Sequence, residues 1–577
     1  MPMQILEPTE TYDVCIVGSG AGGSMAAKVL CEAGAKVVLL EAGGEWTIEN
    51  DAEMLTWNYE SPRRGAGTTE RPFGEFDACD GGWQIDGEPY EAVEGTDWRW
   101  WRARMLGGRT NHWGRISLRF GPDDFKGKTL DGYGDDWPIT YDDIAPYYDK
   151  VDELVGIFGN RDGFHNEPDG QFLPPPEPRC HEKLVQKGAA SIGIPVLASR
   201  LSILTKPMNG RAACHYCGQC NRGCSVGANF SAGRVLLEPA MATGNLTLVL
   251  HAMAREVVTD DEGRATGVSF VDTQTMQEQQ VRAKIVVLAA SACESARLLL
   301  NSTSSRHPNG LANSSGVVGK YLMDTVGASM GAFVPALAGM PPHNGDGVGG
   351  MHIYIPWWLH DQHASLGFPR GYHFETWGGR GMPGYGFMGG IQGLNGKYGQ
   401  GDRPRGGGGY GTMLKDDYRY FYGAYVGFSG RGEMIAREDN LCEIDPTKVD
   451  RYGIPTLRFD VTWSDAELQQ ARHMQMAGRE LLESIGGEID DPPGADRDYG
   501  ISKPGEIIHE AGCVRMGDDP ATSALNGFCQ AHDVDNVFVV DAANFVSQPH
   551  KNTTWTILAL SWRAAEYIID QRSQLNI

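Results

Sequence analysis

The chain has 577 residues, with Lys+Arg 50 against Asp+Glu 74 and a formal net charge of −24. A surface this acidic excludes the counterion-releasing contacts of a nucleic-acid binder and adhesion to anionic lipid. Hydrophobic residues at 41%, charged residues at 21% and a mean hydropathy of −0.34 are those of a globular chain, and no apolar run reaches the roughly 18 residues of a spanning helix.

The first residues, MPMQILEPTE, carry neither a basic n-region nor an apolar h-region. The expectation is a protein exported to the periplasm by a signal-bearing partner, or else a cytoplasmic one. Tyr12 to Val17 then reads as a short buried strand, Gly18 to Gly23 as a glycine turn and Ser24 to Glu32 as a helix. Gly34 closes that helix, and Val37 to Leu40 is a second buried strand. A second strand-and-helix pair, IVVLAASACESARLLL, occupies 285–300. A third closes the chain, with VFVVDAANF at 537–545 and a helix from about Thr554 to Gln571.

Three α/β pieces so far apart imply one nucleotide-binding domain of distant segments, 8–60, 100–125, 225–330 and 505–577. A second domain then comes from 130–210 and 330–504, with a cysteine loop at 211–226. Glycine is the compositional outlier at 77 residues, and 378–411 holds 16 of them in 34 positions. That stretch reads as a loop-rich cap or a lid.

Gly18-Ser19-Gly20-Ala21-Gly22-Gly23 follows a strand, opens a helix and fits G-x-G-x-x-G through Gly18, Gly20 and Gly23. Glycines there permit the tight turn and let a pyrophosphate approach the backbone, while the helix N-terminus supplies N–H donors. Glu41 ends the next strand, where an acid binds a ribose 2′-OH and repels the 2′-phosphate of NADP. At 103–115 the chain reads ARMLGGRTNHWGR. Gly107-Gly108 allows backbone contact with a flat or charged ligand, and His112 taken alone reads as a packed core histidine. HEAGCVRMG at 509–517 and DAANFVSQPHKNTTWT at 541–556 contain His509 and Asn552, which no local pattern links.

Four of the cysteines form Cys214-x2-Cys217-x2-Cys220-x3-Cys224. Zinc sites usually split their ligands into two separated pairs, and local disulfides would leave a strained knot. The spacing is that of iron–sulfur ligation, although Ser225 replaces the usual Pro and there is a single run. Zinc or a purely structural role stays open on the residues alone. No C-x-x-C-H occurs, because Cys217 is followed by Gly218-Gln219-Cys220, so any haem belongs to a partner. Trp98, Trp100 and Trp101 with Arg99 and Arg102 read as packing or an interface. His352, His360, His363 and His373 in the loop-rich insert read as solvated surface.

Together these segments resemble the glucose-methanol-choline (GMC) family of FAD-dependent oxidoreductases over almost the whole chain. The resemblance adds DDWPITYDDIAPYY at 135–148, the H-x-x-G-x-x-R-M-G block, the V-V-D-A strand and the N-T-T-x-T-I-x-A-L helix start. It implies a Rossmann-like FAD-binding domain interleaved with a substrate domain built on an antiparallel sheet with helices. FAD contacts are implied at Gly18, Gly20, Gly23, Glu41, Gly107, Gly108, Asn111, His112, Ala254 and Asp541. His112 also falls where pyranose oxidases attach FAD covalently, a link left open here. The family's active-site pair falls on His509 and Asn552; the spacing to Ala559 selects Asn552 over His550. In the family the histidine takes the hydroxyl proton as hydride passes to flavin.

The cysteine segment resembles the iron–sulfur loop of bacterial multi-subunit sugar dehydrogenases, down to Gly227-Ala228-Asn229. That likeness implies a [3Fe–4S] cluster on Cys214, Cys220 and Cys224, with Cys217 additional, or a fourth ligand if the cluster is [4Fe–4S]. The implied function is oxidation of a secondary hydroxyl of a sugar or glycoside, glucoside C3 among the candidates. Electrons would pass through the cluster to a cytochrome c, and a small export-type subunit would accompany the chain. The alternatives are a pyranose-oxidase-like enzyme using O2 and an electron-transfer flavoprotein subunit without a substrate of its own.

Overall fold

The structure is a computed structural model that describes residues 10–51, 60, 81–341, 347–360, 365–380, 411–489 and 492–577. Its larger sheet has seven strands. Thr11–Val17 and Val37–Leu40 pair in parallel, and Leu246–Val249 extends the sheet beyond Val37–Leu40. On the other side Thr11–Val17 pairs with Glu278–Leu288, the longest strand. That strand carries an antiparallel meander, Ala252–Thr259 and Ala265–Asp272, along its first half and Val537–Val539 in parallel along its second. Its apolar runs are continuous because helices cover the parallel strands on both faces.

The first helix spans Ala21–Glu32 and starts three residues earlier than the sequence implied, so Gly22 and Gly23 lie inside it. Glycine costs a helix interior about 1 kcal/mol against alanine, but here nothing larger fits. A Cβ on Gly22 would lie 2.4 Å from Val540 O, and one on Gly23 1.9 Å from Gly18 O. The carboxyl-terminal helix Thr554–Ser573 packs against this one, with Ser561 Oγ donating to Gly22 O at 2.7 Å. Gly34, at φ +83°, terminates the first helix as expected.

The second sheet has six strands, all antiparallel, ordered Glu488–Ile489, Val326–Phe333, Tyr425–Gly432, Tyr372–Gly378, Ile353–Ile355 and Leu197–Ala198. The boundary placed at 330 therefore falls inside a strand; VGASMGAF has too many small residues to announce one. Helix Asp465–Ser484 backs this sheet, opened by a Ser464–Glu467 capping box. Trp98, Trp100 and Trp101 are core residues, with Trp98 stacked on Phe459 and the Arg102 guanidinium over Trp100.

Two histidines read as solvated surface are buried instead. His352 is 1% exposed, its ring held between Glu177 O and the Val348 N–H. His373 is 0% exposed because it lies on the strand Tyr372–Gly378 and faces inward. His360 is half-buried with its ring against His165. His363 and residues 381–410, most of the stretch read as cap or lid, lie outside the described residues.

Candidate active site

One cavity of about 430 Å³ is lined both by the first glycine turn and by His509 and Asn552. Gly18 and Gly20 open it, and they differ in what they face. Gly18 has φ +97°, and a Cβ there would sit 2.3 Å from Ala289 O, so the turn itself requires glycine. Gly20 has φ −68°, open to any residue, and its Cβ would meet no atom of the described residues within 4 Å. A bare backbone facing an open cavity at a helix N-terminus is a cradle for a pyrophosphate.

Glu41 follows the strand Val37–Leu40 and is buried on the cavity wall. Its carboxylate accepts from Ser19 Oγ at 2.5 Å, the Ser19 N–H at 3.1 Å and the Gly43 N–H at 2.9 Å. Burial pushes its pKa up, and these donors work against that. Gly108, His112, Ala254 and Asp541 also line the cavity. Gly23, Gly107 and Asn111 stand behind the wall. The Gly107 N–H donates to Ser19 Oγ at 2.9 Å, and Asn111 Nδ2 donates to Leu106 O at 2.9 Å, which braces the turn that carries Gly108. Asp541 accepts from the Ser291 N–H, Ser295 Oγ and the Ala543 N–H, while burial lifts its carboxyl to about 6. His112 Nε2 accepts from Trp101 Nε1 at 3.2 Å.

At His509 the two sheets meet. Asp324, just before the strand Val326–Phe333, accepts from the N–H groups of Gly505, Ile507 and His509 and fixes the loop that carries the histidine. Thr325 Oγ1 lies 3.0 Å from His509 Nδ1. Asn552 Nδ2 lies 3.4 Å from His509 Nε2, so the tautomer that satisfies both contacts carries its proton on Nδ1. Burial, with Arg431 nearby, pushes the imidazole down to about 3. Lys551, one residue before Asn552, is anchored by a buried ion pair with Asp124 at 2.6 Å. His550 is turned from the cavity, with its Nδ1 3.2 Å from His373 Nδ1.

A GMC oxidoreductase family model matches residues 92–327, a second one of that description matches 438–561, and an FAD-binding domain model matches 11–56. The 2-methyl-1,2-propanediol dehydrogenase of Mycolicibacterium austroafricanum is 30% identical over 97% of this chain and 97% of its own length. The chain belongs to the GMC oxidoreductase family. The fructose dehydrogenase large subunit of Gluconobacter japonicus is 26% identical to this GMC oxidoreductase over 98% of the chain and 99% of that protein. The structure of an FAD-dependent oxidoreductase from Chaetomium thermophilum has the same fold, with TM-score 0.65 at 13% identity over 98% of this chain and 100% of that one.

In this GMC oxidoreductase one segment joins the cavity to the cysteine loop. His112, Trp113, Gly114 and Ile116 line the cavity, while Arg115 between them points away and donates to Cys220 O at 3.2 Å. The Tyr216 N–H donates to Cys214 Sγ at 3.3 Å and the Ala228 N–H to Cys224 Sγ at 3.2 Å, and the Gly349 amide is directed at Cys220 Sγ. Cys217 accepts no such bond among the described residues. A single tetrahedral zinc would draw its sulfurs to about 3.8 Å from one another. No three of these four sulfurs lie within 4.8 Å of one another.

No sequence motif marks Glu375 and Arg431, which the fold brings beside Asn552. Glu375 Oε1 lies 3.4 Å from Asn552 Nδ2, and Arg431 Nη2 lies 3.1 Å from Glu375 Oε2. Burial raises the Glu375 carboxyl, but Arg431, His373 and His509 together outweigh it and hold the group at about 2. The available signal was the alternation Tyr372-His373-Phe374-Glu375, apolar on one face and ionisable on the other.

Proposed function

We propose that the chain is a dehydrogenase that oxidises a secondary hydroxyl of a sugar or glycoside, ring carbon 3 of a glucoside included, and delivers the electrons to a one-electron acceptor. The observation that carries this reading is the convergence of an unprotonated His509 Nε2 and the Asn552 amide, 3.4 Å apart, on the cavity that the glycine turn opens. FAD, when bound, supplies the hydride acceptor. His509, neutral near pH 7, accepts the hydroxyl proton at Nε2, and Thr325 holds the opposite ring nitrogen. Asn552 Nδ2 donates to the substrate oxygen and steadies the negative charge that grows there. A polyol or sugar substrate is in keeping with the names of the fructose dehydrogenase and propanediol dehydrogenase relatives.

The residues of the cysteine loop fit an iron–sulfur cluster held by Cys214, Cys220 and Cys224. Amides directed at those three sulfurs, and the buried Arg115 guanidinium beside Cys220, suit an anionic cluster. Such a cluster supplies a one-electron exit. The test is anaerobic bleaching of the flavin by a panel of sugars and glycosides, with product regiochemistry and an assay for iron and acid-labile sulfide. Bleaching without iron, with rapid reoxidation by O2, would make the protein an oxidase instead.

A further inference from the structure

We infer that Glu375 is a positioning residue for the reaction: its carboxylate decides which end of the Asn552 amide meets the substrate oxygen, and Arg431 keeps that carboxylate in place. The inference rests on the active-site reading above and extends it to the sheet of the substrate domain. Strand Tyr372–Gly378 pairs with Tyr425–Gly432 so that Glu375 faces Ser429 and His373 faces Arg431. Residues two apart on a strand share a face. His373, Glu375 and Arg431 therefore project together from the sheet toward His509 and Asn552.

A carboxylate only accepts hydrogen bonds. With Glu375 Oε1 at 3.4 Å, Asn552 must present its NH2 group, because the opposite orientation sets two oxygens against each other. One amide hydrogen then goes to Glu375, and the other points at His509 Nε2, the position that a substrate hydroxyl has to enter. Asn552 Oδ1, by contrast, is buried with no hydrogen-bond partner among the described residues, so no described group sets the orientation from the carbonyl side. A flipped amide would aim that oxygen at the substrate oxygen as it loses its proton and would repel the growing charge.

Glu375→Gln keeps the shape but can offer an NH2 group to Asn552 Oδ1, which makes the flipped amide a competing state. The test is a double-mutant cycle on the holoenzyme. Flavin reduction is followed by anaerobic stopped flow with the best reductant among glucose, fructose, gluconate and methyl glucoside. Glu375→Gln should lower the saturated reduction rate roughly 10–100-fold, with FAD content retained, the substrate half-saturation shifted less than about threefold, and the melting temperature lowered by only a few degrees as Arg431 loses its charged partner. Glu375→Asp, still an acceptor only, should fall between wild type and Glu375→Gln. In an Asn552→Ala background, Glu375→Gln should change the rate by less than about twofold, because the amide it acts through is gone. Losses that multiply across the two backgrounds overturn the inference, as does a Glu375→Gln enzyme that reduces its flavin at the wild-type rate. Failure of the underlying active-site reading shows itself separately, as a wild-type flavin that none of these compounds bleaches, and it takes the inference with it.

Discussion

Gly20→Val separates the requirements of the fold from those of the cofactor. The backbone at Gly20 is already in a region open to every residue, and a Cβ there meets no atom of the described residues within 4 Å. The folded protein should therefore tolerate valine with a stability change below about 1 kcal/mol, the scale of propensity and capping differences at a helix end. The added methyl groups enter the space through which a pyrophosphate reaches the helix N-terminus. Losing a few helix N-terminal hydrogen bonds, at roughly 1 kcal/mol each, would weaken FAD binding by about 100-fold. Gly18→Ala makes the opposite case: at φ +97° and 2.3 Å from Ala289 O, it should destabilise the protein before any cofactor is considered. Urea unfolding of the apoproteins and FAD titration by flavin fluorescence measure the two effects. A yellow Gly20→Val protein with normal flavin content, or one that is unfolded while Gly18→Ala is sound, would refute the reasoning.

His509→Ala should lower turnover by about 10²–10⁴-fold, the usual cost of losing a general base, with FAD retained; His550→Ala should cost far less, and equal losses would reassign the base. Because His509 is pushed from 6.5 down to about 3, an unfolded chain binds a proton there that the folded one refuses. Stability should therefore fall as pH drops through that window, and denaturation curves of His509→Asn should show a shallower fall. The same shift keeps the base unprotonated, so flavin reduction should hold its rate down to about pH 5. Cys220→Ser should remove iron and slow transfer to cytochrome c while sparing single-turnover reduction of the flavin. Cys217→Ser should be mild for a three-cysteine cluster and as severe as Cys220→Ser for a four-cysteine one.

Much of the nucleotide-binding half was legible in the sequence because its signals are local. Gly18, Gly20 and Glu41 declare themselves by spacing within one βαβ unit, and the strand at 285–288 by an apolar run buried on both faces. His509 and Asn552 were paired through likeness of motif, since 43 residues separate them and only tertiary structure brings them together. Glu375 and His373 were illegible for a related reason. Their strand turns its ionisable face toward Asn552, so it lacks the apolar continuity of a buried strand and reads from the sequence as part of an exposed insert. The helix start was misplaced because Gly22 and Gly23 look like turn residues. Their actual constraint, the carbonyls of Val540 and Gly18, is invisible until the distant strand is in position.

The long strand Glu278–Leu288 waits for its last neighbour. Its outer half pairs with Val537–Val539, which leaves the ribosome some 250 residues after it, and Asn552 follows later still. Non-local pairing of this kind is slow and leaves strand edges open in the meantime. During synthesis the nascent chain carries Val286, Val287 and Leu288 as an apolar edge still without that neighbour while five of the six strands of the second sheet are being made. Neither the cavity wall at Asp541 nor the contact between His509 and Asn552 exists until that edge is capped, so an interrupted chain is more prone to aggregate than to bind flavin without using it.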